Sequence, residues 1–264
     1  MQHIRAGVFA LALAAAMGAS GCDSRSAPET SGRVLTVFAA SSLSDAFRDI
    51  EAGFESKHPD VDVTMNFAGS QVLRVQIEQG ADADVYVSAD RQHMSAVETA
   101  GLATSSRVFA HNELTVIVPS ENPAGIETFE DLVDARRIVL GTRESPIGTY
   151  TEQMLANASR QIGEGFVERL RDSVVSRESN VRLVRAKVEM GEADAAIVYR
   201  TDAMASDGVR RVAIPDAINV RASYPVAALQ SSGNPDSARD FVRFVLSTDG
   251  QAILERHGFV PGGE

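Results

Sequence analysis

Tryptophan is absent, cysteine occurs once, and aromatic residues are only 6% of a 264-residue chain. A single cysteine excludes an intramolecular disulfide and a cysteine-built zinc site, so neither device holds this fold together. Positive charge is also scarce: 25 Lys+Arg stand against 36 Asp+Glu, a formal net charge of −11. With no positive field to displace phosphate counterions, the composition argues against a nucleic-acid binder and against a polybasic membrane-surface protein. Catalytic signatures are missing as well. There is no H-E-x-x-H, no G-x-S-x-G elbow and no P-loop, and His58, His93, His111 and His257 lack metal-ligand spacing. Asp82-Ala83-Asp84 brings two carboxylates together, but no third follows at a ligand spacing. What remains is 44% apolar and 23% charged, the balance of a folded domain rather than a disordered chain.

The first residues read as an export address. Arg5 precedes an apolar run from Ala6 to Met17, too short to span a bilayer, followed by small residues. Ala19-Ser20-Gly21-Cys22 resembles the bacterial lipobox, with Ala19 in place of its usual leucine. The resemblance implies that residues 1–21 are a lipoprotein signal peptide and that Cys22 is lipidated and becomes the mature N-terminus. Residues 22–33 carry Ser, Pro and Gly without apolar periodicity, as a flexible tether does.

From Val34 onward strands and helices alternate. The β-branched runs Val34–Phe38, Val61–Met65, Asp84–Ser88, Leu114–Val118, Arg137–Leu140, Ala195–Tyr199 and Val226–Leu229 read as strands. Helical spacing recurs over Leu43–Phe54, Gln71–Gln79, Thr149–Ala158, Val181–Met190 and Ala238–Leu246, and a further helix ends before Gly101. Such alternation predicts an α/β fold with mainly parallel sheets flanked by helices. In open α/β sheets, ligands collect where strands hand over to helix N-termini. Four such junctions carry a serine: Ser42 with Asp45 at capping-box spacing, Ser70 after Gly69, Ser145 before Pro146, and Ser179 before Asn180. Each serine can cap its helix or turn its hydroxyl and the neighbouring N–H groups to an anion.

Several motifs in register make this sequence similar to one family. Thr36–Leu43, Phe67–Ser70, Ala83–Asp90, Pro146-Ile147-Gly148 with Tyr150, Gly191–Tyr199 and His257-Gly258-Phe259 together resemble the periplasmic molybdate-binding proteins of ABC importers, the ModA family. The resemblance runs from about Val34 to Phe259. It implies the two-lobed periplasmic-binding-protein fold of type II with a double-strand hinge. Lobe I would be 34–112 plus 222–264, and lobe II 113–221. It implies a ligand, molybdate or tungstate, held as the oxyanion by Ser42, Ser70, Ile147, Val181 and Tyr199, with Ile147 and Val181 acting through backbone N–H. No cofactor and no other metal site is implied, and no catalysis. The expected partners are an ABC permease with its ATPase and, through Cys22, the membrane; the expected state is a monomer in the periplasm or on the outer face of the cytoplasmic membrane. Two departures from the family pattern bear on the choice of anion: Ile147 replaces a common Ala, and Ser41 stands where Ala is frequent. A receptor for sulfate or another tetrahedral oxyanion, an extracytoplasmic enzyme and an anion sensor are the competing readings.

Overall fold

The alternation read from the sequence folds into one mixed sheet covered by helices. The computed structural model describes residues 32–262, so the expected signal segment and Cys22 lie outside the described residues, as does all but the end of the tether. The elements are β1 (Arg33–Ala40), α1 (Ser44–Glu55), β2 (Val61–Ala68), α2 (Ser70–Glu78), β3 (Val85–Val87), α3 (Arg91–Thr99), β4 (Arg107–Pro119), β5 (Ile138–Gly141), α4 (Pro146–Gln161) and α5 (Glu164–Asp172). They continue with β6 (Val174–Glu178), α6 (Val181–Glu189), β7 (Ala195–Tyr199), α7 (Arg200–Met204), β8 (Val209–Val212), β9 (Arg221–Ala228), α8 (Pro235–Leu246), α9 (Thr248–Arg256) and β10 (Val260–Pro261).

The strand order is β2-β1-β3-β9-β4-β7-β5-β6, with β8 and β10 also on β4. Parallel pairing holds at both ends, β2-β1-β3 and β7-β5-β6, where helices make the crossovers. The centre is antiparallel because β4 and β9 run against their neighbours. β4 is long enough to change partners along its length: Arg107–Glu113 pairs with β9, and from Leu114 it pairs with β7 and then β8.

Each helix lays an apolar stripe on the sheet. On α1 the stripe is Ala46, Phe47, Ile50 and Phe54, all buried. Phe54 meets Phe241 and Phe244 of α8 edge-on, with centroids 5.2 and 5.8 Å apart, a favoured aromatic geometry. This packing fixes the strand ends from which the site is built.

Periodicity missed several elements. The first half of β4, Arg107–Glu113, mixes Arg, His, Asn and Glu into its run and hides the alternation. β6 is a half-buried edge strand of sequence VVSRE, and α7 has five residues. α9 buries only Gly250, Ile253 and Leu254, too few to show a 3.6-residue period. α5 follows Gly163, whose φ of +126° breaks the chain direction after α4.

Candidate functional site

One cavity of about 210 Å³, counting space open to solvent, is lined by Ser42, Ser70, Ile147, Val181 and Tyr199, the five expected residues. Ser41, Gly69, Ser145 and Asn180 also line it, and no lining residue is a lysine, arginine, histidine or carboxylate. The residues converge because they sit at the C-terminal ends of β1, β2, β5, β6 and β7, where the chain turns into helix.

Each of the two serine hydroxyls accepts one hydrogen bond and keeps its proton free to donate. Ser42 lies in a 3₁₀ turn, Ser41–Leu43, and makes no capping bond; the cap of α1 falls on Leu43. Capping by Ser42, one of the two roles open to it in the sequence, is therefore not adopted. Its Oγ instead accepts the Tyr224 hydroxyl at 3.2 Å. Ser70 opens α2, and its Oγ accepts the Ala89 N–H at 3.0 Å. Each hydroxyl thus has an acceptor lone pair occupied and its proton left to donate.

The helix starts supply backbone donors. Ser145 caps α4 by accepting the Gly148 N–H at 3.2 Å, and Thr149 N–H returns to the Ser145 carbonyl. Asn180 Oδ1 caps α6 by accepting from Arg182 and Leu183, at 3.0 and 3.2 Å. These caps pass over Ile147 and Val181, whose N–H groups have no acceptor among the described residues. Gly69, with no side chain, leaves α2 uncapped at Ser70. Uncapped first-turn N–H groups carry the positive end of the helix dipole. At the fourth junction the cap falls on Asn180 and not on Ser179, and nothing in the side chains of Ile147 and Val181 marks their N–H groups.

Tyr199, at the end of β7, is 1% exposed, and its hydroxyl has no hydrogen-bond partner among the described residues. Tyr224 and Tyr150 hold its ring edge-on, with centroids 5.8 and 6.5 Å away. Burial, reinforced by Tyr224, Tyr150, Asp90 and Asp202, pushes its phenol well above the usual range. It therefore stays protonated and can donate. The Tyr150 phenol is likewise pushed up, to about 12, chiefly by burial, and accepts the Ser223 N–H at 3.1 Å.

Two buried carboxyl groups stand near this donor set. Asp90 caps α3, accepting the His93 N–H at 2.8 Å. Asp202, fully buried in α7, lies 3.2 Å from Arg182 Nε, but that N–H is directed at the Ser41 carbonyl, so neither Asp202 oxygen accepts a hydrogen bond among the described residues. Burial raises both groups, which favours the neutral acid and limits repulsion of a bound anion. For Asp202 the rise is from 3.8 to about 7, against Arg182 and Arg185, which lower it. The folded state thus holds this proton where the unfolded chain has lost it. The contribution of Asp202 to stability is full below pH 4, falls as pH rises to about 7, and is level above. Asp202→Asn is expected to stabilise the protein at pH 8 by up to about 4 kcal/mol and to leave it little changed at pH 4, measured by denaturant unfolding at both pH values.

Among the described residues no group of three or more His, Cys, Asp or Glu is placed to hold a metal ion. Asp84, of the Asp82-Asp84 pair, is used structurally, accepting the Thr36 N–H at 2.8 Å and the Ser232 hydroxyl at 2.5 Å.

An uncharged nest of donors at converging helix starts, in a sheet crossed by two long antiparallel strands, defines a protein that holds a solute rich in acceptors. The chain belongs to the bacterial extracellular solute-binding protein family, whose sequence model matches residues 35–260. It is 36% identical to the molybdate-binding protein ModA of Mycobacterium tuberculosis over 243 residues, 91% of this chain and 89% of that one. Its fold matches the periplasmic molybdate-binding protein of Azotobacter vinelandii with a TM-score of 0.75 at 19% identity, covering 86% of this chain and 98% of that one. The sulfate-binding protein SubI of M. tuberculosis matches with a TM-score of 0.77 at 19% identity, covering 87% of both chains. At that identity the two structural matches speak for the fold alone.

Proposed function

We propose that this protein is an extracytoplasmic receptor that captures molybdate, and tungstate with it, and delivers the anion to an ABC permease and its ATPase. The observation that carries this reading is the buried Tyr199 hydroxyl, without a partner among the described residues, on a residue lining a cavity that has no charged side chain. A fully ionised tetrahedral dianion offers only acceptors, so a ring made only of donors satisfies it. Phosphate near neutrality still carries a proton and would need an acceptor opposite. Hydrogen bonds to an ionised partner are also the stronger class. Ser42 and Ser70 would give hydroxyl and N–H donors, Ile147 and Val181 N–H donors, and Tyr199 its phenol. Molybdenum would be held only through its oxygens. The names of the sequence relatives favour molybdate over sulfate. No cavity-lining side chain can act as a general base, which favours a binding role over an enzymatic one.

The site would close between two lobes, 34–112 plus 222–264 and 113–221. The change of β4 partners at Glu113 and Leu114 supports that boundary. Hydrogen bonds across it support a shut cleft. Gln71 Nε2 donates to the Ser179 carbonyl at 2.7 Å, His93 Nε2 to Glu144 at 2.8 Å and Arg200 Nη2 to Gly258 at 2.6 Å. Donors come from both sides, so the anion binds the closed state better and shifts the population toward it. Cys22 would tether the receptor, as a monomer, to the outer face of the cytoplasmic membrane.

Ser42→Ala and Ser70→Ala are each expected to weaken molybdate binding by about 1.5–3 kcal/mol, the range for a hydrogen bond to a charged group. Calorimetric titration of both variants checks this, and wild-type affinity in both would remove these hydroxyls from the site.

A further inference from the structure

Behind the anion cavity lies a second one, of about 410 Å³, lined by Ser42, Asp45, Arg182, Arg256 and His257 among others. The peptide joining Ser41 to Ser42 stands between the two: Ser42 lines both cavities, Ser41 only the first and Arg182 only the second. Arg182 follows Val181 at the start of α6, yet its guanidinium reaches the opposite side of the cleft. Nε donates to the Ser41 carbonyl at 3.2 Å, and Nη2 donates to Asp45 Oδ2 at 2.5 Å. Asp202 Oδ1 lies 3.2 Å from the same Nε. The Ser41 carbonyl also accepts the Ser44 N–H, so both its lone pairs are engaged.

A trans peptide points its C=O and its N–H in opposite directions. Drawing the Ser41 carbonyl back toward Arg182 therefore turns the Ser42 N–H forward, away from Arg182. The guanidinium itself is kept out of the anion cavity and faces the Asp45 and Asp202 carboxyls.

We infer that Arg182 is a positioning residue for the anion site: reaching across the closed cleft, it orients the Ser41–Ser42 peptide so that the Ser42 donors converge on the ligand only when the two sides meet. The inference rests on the two-lobe, oxyanion-binding reading above. It separates two roles of positive charge. An arginine touching the anion would bind it in the open state too, whereas this one strengthens only the closed complex. Its loss should therefore speed release and leave capture nearly unchanged.

The test is stopped-flow binding of sodium molybdate to wild type, Arg182→Met, Arg182→Lys and Asp45→Asn, with thermal unfolding of each without ligand. Arg182→Met is expected to raise the dissociation rate about tenfold or more, the scale for losing a desolvated charge contact, with the association rate within about threefold. Arg182→Lys should recover part of the loss, because an ammonium can reach one acceptor but cannot fork between two. Asp45→Asn, on the other side of the cleft, should raise the dissociation rate in the same direction by a smaller factor, and it carries the test if Arg182→Met does not fold. Wild-type dissociation in a folded Arg182→Met, or a loss confined to association, would overturn the positioning role while leaving the binding function standing. Failure of the wild type itself to bind molybdate would overturn the functional reading, and this inference with it.

Discussion

Tyr199→Phe is expected to weaken molybdate binding by about tenfold to a hundredfold and, at the same time, to stabilise the unliganded protein. The two effects have one cause. The hydroxyl is buried at the end of β7 and meets no acceptor among the described residues. Leaving a buried donor unpaired costs about 1–3 kcal/mol, and removing it returns up to that amount to the empty protein to the extent that its cleft stays shut. The same hydroxyl donating to an ionised ligand contributes about 1.5–3 kcal/mol, which the phenylalanine forfeits. Ring packing against Tyr150 and Tyr224 is kept, so stability and affinity move in opposite directions. Denaturant unfolding without ligand and calorimetry with it read the two arms. A loss in both would instead mark Tyr199 as a structural residue.

Gly69→Ala is expected to weaken binding by a comparable amount without harming the fold. Gly69 has φ −64° and ψ 139°, a backbone conformation any residue adopts, so alanine is not strained there. The obstacle lies across the cleft: a Cβ would stand 2.5 Å from the Ser179 carbonyl oxygen. The Gln71 side chain is nearly as close but can swing away, whereas the Ser179 backbone moves only if the cleft opens. Overpacking of this kind costs about 1–3 kcal/mol, or roughly fivefold to 150-fold in affinity. Here the cost falls on the closed state alone. The measurement is molybdate affinity alongside the unfolding midpoint of the empty protein. Unchanged affinity would mean that the shut arrangement is not the one that holds the ligand.

Much of the site was legible in the sequence because helix starts after strands have a chemical signature. Ser145 before Pro146 is of a type that caps helices and does so, whereas at the fourth junction the cap is Asn180 and not Ser179. Ser70 after Gly69 opens a helix as expected. Motif resemblance, and not spacing, singled out Ile147 and Val181, since any residue can offer an N–H. That the junctions converge on one cavity was beyond periodicity, which sees each helix alone. The reach of Arg182 to Ser41 and Asp45, spanning more than 130 residues of chain, left no local trace. In the fold, the parallel strands β1, β3, β5 and β7 follow from clean apolar runs, while the half-buried edge strand β6 does not. The antiparallel centre was concealed because β4 crosses from one set of partners to another, and its first half carries polar residues that bond at the crossing. One of these is buried Asn112, whose amide donates to Thr201 Oγ1 at 2.8 Å.

The net charge of −11 raises the sharpest objection to an anion receptor. It is met locally. Diffuse surface charge is screened within about 10 Å at ordinary ionic strength, the cavity is ringed by dipoles, and burial raises the carboxyls of Asp90 and Asp202 toward their neutral forms. Titration calorimetry of the purified protein with molybdate and with sulfate tests this account most directly. It predicts one molybdate per chain and sulfate at least about 100-fold weaker, a difference of about 2.7 kcal/mol. Equal affinity for the two anions, or no molybdate binding, would contradict it.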